Sequence, residues 1–334
     1  MTRTRIGFLV LLALLLAAPY FVYPVLVMKV LCFALFACAF NLLLGFTGLL
    51  SFGHAAFFGM AAYVTGYAMT RLSLTPEVGL ALGVLAAAAL GGVFGGLAIR
   101  RQGIYFAMIT LALAQMVYFF CLQAPFTGGE DGLQGVPRGA LFGLLDLRDD
   151  KVIYYVVVAI FVAGFSVIYR TIHSPFGQVL KAIRENEPRA LSLGYDVNRY
   201  KLLAFVLSAS LAGLAGATKT LMLGFATLTD VHWATSGEVV LMTLVGGVGT
   251  VLGPIVGAIV IVVLQNELAD KVGPWVTVIM GAIFVVNVLA FRRGIVGEIA
   301  ARLRKQPPRS IPEPPVLAPA SDATVTPETP GSAL

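Results

Sequence analysis

Polar side chains that could do chemistry or bind a partner are concentrated in one charged segment of this apolar chain, from Ser174 to Phe205. Ser174 and Pro175 form a helix-start signal, because serine caps a helix and proline fits its first position. In the run 176–187, apolar residues alternate with lysine, arginine and glutamate. A rigid helix between two membrane spans can seat in a partner and convert the partner's movement into a tilt of the spans. The alternative is a solvated amphipathic connector.

A second group of polar residues lies in apolar stretches that are rich in glycine. Two clusters, 45–59 and 246–257, carry enough glycine and proline to break or kink a helix. They lie in two stretches, 25–123 and 202–291, whose direct similarity is too weak to establish a repeat. Broken helices in lipid need protein or a water-filled cavity around them, so a pair of them points to a transport site. The alternative is close helix packing with hydrogen bonds between helices. The predicted pathway residues are Asn41, Ser51, Gly53, His54, Gly249 and Gly253.

The chain lacks the residue patterns of an enzyme. No G-x-x-x-x-G-K-[ST] sequence occurs, since the stretch from Gly213 to Thr220 has the wrong spacing for a phosphate-binding loop. There is no HExxH motif and no plausible catalytic triad. Cys32, Cys38 and Cys121 lie in apolar stretches without metal-ligand spacing, and we interpret them as small core residues. We therefore expect no catalytic residue, no metal site and no cofactor in this chain.

The composition places these residues in a membrane protein. The 334 residues are 58% hydrophobic and 12% charged, whereas soluble domains contain about 25% charged residues. Apolar stretches of about 20 residues can cross the hydrocarbon layer, and these are too long and too uniform for barrel strands. We predict an all-α, polytopic transmembrane helical bundle with about nine to ten spans, some of them broken or re-entrant. The predicted windows are 6–22, 25–45, 49–69, 78–98, 103–123, 152–170, 202–222, 237–250, 252–266 and 275–291.

The predicted organisation is one transmembrane domain, 1–295, followed by a tail, 296–334. Both termini are predicted to be cytoplasmic, because most of the 23 basic residues then lie in inner loops, including the loop at about 171–201. The acidic loop 124–151 then lies outside. The tail is rich in proline, serine and threonine, and we expect it to be disordered. The net charge of +6 reflects this topology and not nucleic-acid binding, since the basic residues form no folded basic face.

The placement of charge also bears on the source of energy. The acidic residues fall in loops, in the tail or at span edges, with Glu238 closest to a span interior, and Lys29 and Lys219 are expected to reach the outer surface. Ion-driven carriers commonly hold carboxylates within the bilayer, so we expect the energy for transport to come from a partner protein. An autonomous facilitator for a small neutral solute also fits, but it leaves the 174–201 loop without a purpose. A membrane enzyme is disfavoured because no reactive cluster lies near either face.

Four sequence blocks together resemble the branched-chain amino acid permease family of ABC importers, specifically its M-type subunit. They are GFTGLLSFGHAAFFGMAAY (45–63), FTGGEDGLQGVPR (126–138), SPFGQVLKAIRENEPRALSLG (174–194) and LVGGVGTVLGPIVGA (244–258). The resemblance covers about residues 25–293. Pro188 and Arg189 depart from the family pattern, which often has small or branched residues after the loop glutamate.

The resemblance implies that the loop couples the membrane domain to an ATPase. Glu187, Ala190 and Gly194 match the E-x-x-A-x-x-x-G pattern of that loop, and Arg184 and Glu185 are further candidate contacts. The implied partners are an H-type permease subunit, two cytoplasmic ATPase subunits that bind the ATP, and a periplasmic substrate-binding protein, with the permease embedded in the lipid of the bacterial inner membrane. The implied substrates are leucine, isoleucine and valine. Urea, short amides and other small organic acids remain open, because relatives carry them.

Overall fold

Long apolar helices make up most of the part of the chain that the computed structural model describes, namely residues 15–16, 18–20, 23–143, 145–275, 278–279, 281–283, 285 and 294–303. In chain order the helices are α1 (Pro24–Thr47), α2 (His54–Thr70), α3 (Pro76–Ala98), α4 (Ile104–Gln123), α5 (Asp150–His173), α6 (Pro175–Glu185), α7 (Glu187–Ser192), α8 (Val197–Leu223), α9 (Trp233–Gly246), α10 (Gly253–Val272) and α11 (Gly294–Leu303). The prediction of an all-α, polytopic membrane bundle is confirmed.

Five of the described helices are long and apolar enough to cross a membrane, namely α1, α3, α4, α5 and α8. Helices α2 and α9 are shorter, with 17 and 14 residues. The eight predicted windows between residues 25 and 266 each overlap a helix. The windows 6–22 and 275–291 fall largely outside the described residues.

Helix α8 lies at the centre of the bundle and packs against α1, α2 and α3. Small residues make this packing possible. A Cβ atom added at Gly216 would overlap the carbonyl oxygen of Phe58, and one added at Gly213 would overlap the side chain of Ala87. Close approach of backbones is the usual basis of helix association in lipid, where apolar burial gives little driving force.

The helix breaks predicted from the glycine clusters are present. Helix α1 ends at Thr47 and is followed by Gly48, which has a left-handed conformation with φ of 76°, and the next helix begins only at His54. The predicted window 49–69 therefore begins too early, because residues 49–53 are not helical. At the second cluster, residues 247–252 separate α9 from α10. Glycine adopts the left-handed conformation without the strain that a Cβ atom would cause.

The starts of α2 and α9 lie side by side inside the bundle. The backbone N–H of Ala55 donates to Ser236 Oγ at 2.9 Å, and His54 Nε2 lies 2.9 Å from the hydroxyl of Ser208, in the middle of α8. Helix α8, like α1, is followed by a left-handed glycine, Gly224, after which the chain returns to start a short helix. A long helix, a left-handed glycine and then a shorter helix therefore follow one another in both stretches, 25–123 and 202–291, whose sequence similarity is too weak to establish a repeat.

A buried ion pair holds the segment that follows α8. Lys219, 7% exposed, contacts the carboxylate of Asp230, 4% exposed. The second carboxylate oxygen accepts hydrogen bonds from the backbone N–H and the hydroxyl of Thr227 at 3.2 and 3.3 Å. The expectation that Lys219 reaches the surface is wrong, because an opposite charge and polar donors compensate the burial of both groups.

Short strands connect the loop at 124–149 with the rest of the bundle. Strand β1 (Leu133–Gln134) is antiparallel to β4 (Phe225–Ala226), a strand that follows α8 in the chain, and Leu133 lies opposite Ala226. A separate hairpin pairs β2 (Ala140–Leu141) with β3 (Leu145–Asp146). The β1–β4 pair fixes this loop to the segment that carries Asp230.

The domain boundary predicted at residue 295 falls inside helix α11. This helix packs against α9 and α10, and a Cβ atom at Gly294 would overlap the backbone of Gly247. Residues 296–303, which we predicted to be part of a disordered tail, are therefore helical and attached to the bundle. The remainder of the predicted tail, 304–334, lies outside the described residues.

Candidate functional site

The predicted coupling loop is the segment 174–196 between α5 and α8, and it begins as its sequence indicates. Ser174 Oγ accepts a hydrogen bond from the backbone N–H of Gly177 at 3.3 Å, and Pro175 occupies the first turn of α6. A Cβ atom at Gly177 would overlap the carbonyl oxygens of Thr171 and Ile172. The loop helix therefore folds back tightly on the end of α5, and this contact makes the α5–α6 corner rigid.

The loop contains two helices because Asn186 separates them. Asn186 has an extended backbone, and its Oδ1 accepts a hydrogen bond from the backbone N–H of Arg189 at 3.0 Å, which caps α7. Pro188 lies in the first turn of α7, where its missing N–H costs no helical hydrogen bond. The departure from the family pattern at Pro188 and Arg189 therefore fits a helix start.

Two residues of the E-x-x-A-x-x-x-G pattern brace the loop from within, and the third ends a turn. Glu187 Oε2 accepts a hydrogen bond from Lys201 Nζ at 2.7 Å. Ala190, 2% exposed, packs with Ile183 and Val197 in a small apolar cluster. Gly194 ends the turn with φ of 86°. Glu187 and Ala190 thus join α7 to α6 and α8, and a direct contact of these residues with an ATPase stays a prediction.

The solvent-facing part of the loop is apolar at its far end. Leu191 is 61% exposed and Leu193 is 67% exposed, and Tyr195 beside them is also exposed. We call these three residues the apolar patch. Sequence reasoning missed it by following the family pattern, although two leucines close together in a polar segment were a signal that could have revealed it. Glu185, a predicted contact, is exposed on the same loop.

Arg184 is directed toward α1. Its Nη1 donates a hydrogen bond to the carbonyl oxygen of Gly45, and its Cγ would lie 3.2 Å from a Cβ atom at Gly48. The neighbouring cation, Lys181, lies over the ring of Phe46 with Nζ 5.7 Å from the centroid. The loop is therefore attached to the end of α1 on the side that faces the bundle. The hydrogen bond that Arg184 makes in the structure is with Gly45 of this chain. A contact between Arg184 and an ATPase stays a prediction.

The two glycine clusters contact each other. Asn41 Nδ2 donates to the carbonyl oxygen of Thr250 at 2.9 Å, and Asn41 Oδ1 accepts from the backbone N–H of Gly249 at 2.9 Å. A Cβ atom at Gly45 would overlap Asn41 Oδ1 and lie 2.7 Å from Gly249 N. The carboxyl end of α1 and the segment between α9 and α10 are thus in contact, directly at Gly45 and Gly249 and through the side chain of Asn41.

The other predicted pathway residues are also packed within the chain. Ser51 and His54 are fully buried, and His54 lies edge-on to the rings of Phe40 and Phe205 at 5.1 and 6.0 Å. A Cβ atom at Gly53 would lie 2.9 Å from the carbonyl oxygen of Thr110.

At the second break, Gly253 begins α10, and its N–H donates to Thr250 Oγ1 at 3.1 Å. The set of six pathway residues therefore divides between two places, the α2 start (Ser51, Gly53, His54) and the junction of the breaks (Asn41, Gly249, Gly253). Lining of a pathway by these residues stays a prediction. Within the described residues, no group of three or more histidine, cysteine, aspartate or glutamate side chains could hold a metal ion.

Comparison with known proteins gives consistent matches. A family model described as branched-chain amino acid transport system / permease component matches residues 25–288. The high-affinity branched-chain amino acid transport system permease protein LivM of Escherichia coli is 31% identical over 253 residues, which are 69% of this chain and 60% of that protein. LivM of Salmonella typhimurium is 30% identical with the same coverage. The chain thus spans 60% of the length of both. The autoinducer 2 import system permease protein LsrC of Klebsiella pneumoniae is 30% identical over 181 residues, 51% of this chain and 49% of the relative.

Proposed function

Because the chain belongs to the family of branched-chain amino acid transport system permease components, we propose that it is the membrane subunit of an ABC importer that moves leucine, isoleucine and valine inward. The observation that carries the proposal is the loop 174–196. It joins two long membrane helices, is braced by Glu187 and Ala190, and presents the apolar patch to solvent. A facilitator that works alone would have no use for such a loop.

In this proposal the chain has no nucleotide site of its own. Two cytoplasmic ATPase subunits bind ATP, an H-type permease subunit completes the membrane domain, and a periplasmic binding protein delivers the substrate. The complex lies in the bacterial inner membrane with both termini of this chain in the cytoplasm. The apolar patch seats in the ATPase, and closure of the ATPase dimer on ATP moves α6 and α7. Because α6 is packed on α5 and α7 is tied to α8, both long helices tilt with the loop.

The substrate assignment rests on the LivM relatives, whose names state branched-chain amino acids. The relative from Klebsiella pneumoniae carries a different cargo by its name, autoinducer 2. The same coupling mechanism therefore serves chemically different substrates among relatives, and the binding protein is the natural place for most of the selection. Urea, short amides and small organic acids are the alternatives to test in parallel.

The test is uptake of radiolabelled leucine, with urea in parallel, by a deletion strain that carries this gene on a plasmid. We expect loss of leucine uptake in the deletion strain, rescue by the plasmid, and abolition of the rescued uptake when cellular ATP is depleted while the membrane potential is maintained. Rescue of urea uptake alone would contradict the substrate. Uptake that persists without ATP would contradict the ABC mechanism and favour a facilitator.

A further inference from the structure

The coupling loop and both helix breaks meet at one junction, although they are far apart in sequence. Arg184 lies on α6, Gly45 in the last turn of α1, and Gly249 between α9 and α10. The Arg184 guanidinium donates to the Gly45 carbonyl oxygen, and Asn41 joins that turn of α1 to Gly249 and Thr250 by two hydrogen bonds. Arg184 thus contacts both the last turn of α1 and the segment between α9 and α10, whereas Lys181 of the same loop contacts α1 at Phe46.

The choice of acceptor has a physical reason. The last four carbonyl groups of a helix have no partner within the helix, and the carboxyl end of a helix carries partial negative charge. The Gly45 carbonyl is one of these groups in α1. A guanidinium remains charged and offers several donors in a fixed plane, so it satisfies such a carbonyl while its stem packs on Gly48.

The two breaks approach each other closely at Gly45 and Gly249, and the side chain of Arg184, which is partly exposed, reaches this point from the loop. A Cβ atom at Gly45 would overlap Asn41 Oδ1, and one at Gly249 would lie 3.2 Å from Arg184 Nη1 and 3.3 Å from the Gly45 carbonyl oxygen. Backbone therefore lies against backbone. Contacts of this kind shift between discrete arrangements and do not deform gradually.

We propose that Arg184 is the positioning residue that transmits movement of the coupling loop to the two helix breaks, and so sets whether the inner end of the pathway is open. The inference rests on the proposed function, since it needs a loop that an ATPase moves. Docking and transmission are then separate tasks. The apolar patch holds the ATPase, and Arg184 passes the motion on through Gly45 and Asn41.

The test compares hydrolysis with transport in the assembled complex, purified through a tag on this chain and reconstituted in liposomes. The variants are Arg184→Ala, Arg184→Lys and, as a matched control, Arg101→Ala, which removes an exposed arginine from the turn between α3 and α4. We expect Arg184→Ala to lower ATP-dependent leucine uptake about tenfold or more, because a charge-assisted hydrogen bond is lost. ATPase subunits should still co-purify in normal amount and still hydrolyse ATP. Arg184→Lys should restore part of the uptake, and Arg101→Ala should match the wild type.

Normal uptake by Arg184→Ala would overturn the inference. Loss of the ATPase subunits from the purified Arg184→Ala complex would also overturn it, because the residue would then serve docking and not transmission. Failure of the wild-type complex to show ATP-dependent uptake would instead overturn the proposed function, and the inference with it. The amount of Arg184→Ala chain in the membrane, measured by immunoblot, separates a folding defect from these outcomes. If Arg184→Ala does not fold, the ratio of uptake to hydrolysis in Arg184→Lys decides, and a ratio equal to that of the wild type overturns the inference.

Discussion

At the scale of the residue, glycine decides how closely the helices of this bundle approach. Gly216 on α8 faces the backbone of α2 at Phe58, whereas Gly96 on α3 has open space at the position of a side chain. Both glycines have small and apolar neighbours in the chain, so the local sequence alone does not distinguish them. Only the structure shows which one is needed for packing.

This difference predicts opposite outcomes for the same substitution. Gly216→Ala should destabilise the chain by about 1–3 kcal/mol, because the added methyl group would push α8 away from α2. Gly96→Ala should leave stability unchanged or raise it slightly, because alanine favours a helix over glycine. Thermal unfolding of the two variants in the same detergent measures the difference. Equal melting temperatures would contradict the packing described for Gly216.

Residue types in the loop show where sequence reasoning succeeds and where it fails. The cap at Ser174 and the left-handed Gly194 could be predicted, because both depend on local backbone chemistry. The partners of Arg184 and Asn41 could not, since Gly45 and Gly249 lie 139 and 208 residues away along the chain. Long-range pairing of this kind leaves no periodic pattern in a single sequence.

At the scale of the element, the coupling loop is a braced unit that presents one apolar surface. Its internal contacts, from Glu187 to Lys201 and from Ala190 to Val197, fix α7 on α8. Covering exposed leucine side chains with a partner removes apolar surface from water, which is favourable. In the proposed complex we therefore expect the apolar patch to be the main source of affinity for the ATPase.

We expect Leu191→Asp with Leu193→Asp to release the ATPase subunits from the complex. Each aspartate would place a charge in an apolar contact, where an unpaired charge is unfavourable. Co-purification of the ATPase with the tagged permease measures the effect, and uptake should fall with it. Leu72→Asp is a suitable control, because Leu72 is also an exposed leucine but lies in the turn between α2 and α3, outside the coupling loop. Retention of the ATPase by the double variant would show that another surface binds it.

The elements themselves could be predicted to different degrees. Windows such as 78–98 and 103–123 match α3 and α4 closely, because a run of about 20 apolar residues has few other stable forms in lipid. The window 49–69 is wrong at its start, since residues 49–53 are apolar enough to belong to a span but are not helical. Likewise, the prediction of a disordered tail from residue 296 extends a proline-rich composition that begins only at Pro307 over a helix, 294–303, that contains no proline.

At the scale of the whole molecule, the predicted orientation makes a simple test possible. The loop 124–149 should face the periplasm, and the coupling loop and the turn at 99–103 should face the cytoplasm. Alkaline phosphatase, which is active only in the periplasm, should be active when fused after Gly143 and inactive when fused after Arg101. A fluorescent protein that folds only in the cytoplasm should give the reverse pattern at the same two points. The opposite result for both reporters would invert the topology and place the coupling loop outside.

The cysteines described above have a practical consequence for following this protein at work. Cys32, Cys38 and Cys121 are the three cysteines of the chain, and all are buried in the bundle without a disulfide. Buried thiols in apolar surroundings react slowly with maleimides, because the reactive thiolate scarcely forms there. The natural chain is therefore already a background for thiol labelling. A single cysteine placed on the coupling loop, and another beside one of the breaks, would carry spectroscopic probes that report how far each moves during a transport cycle.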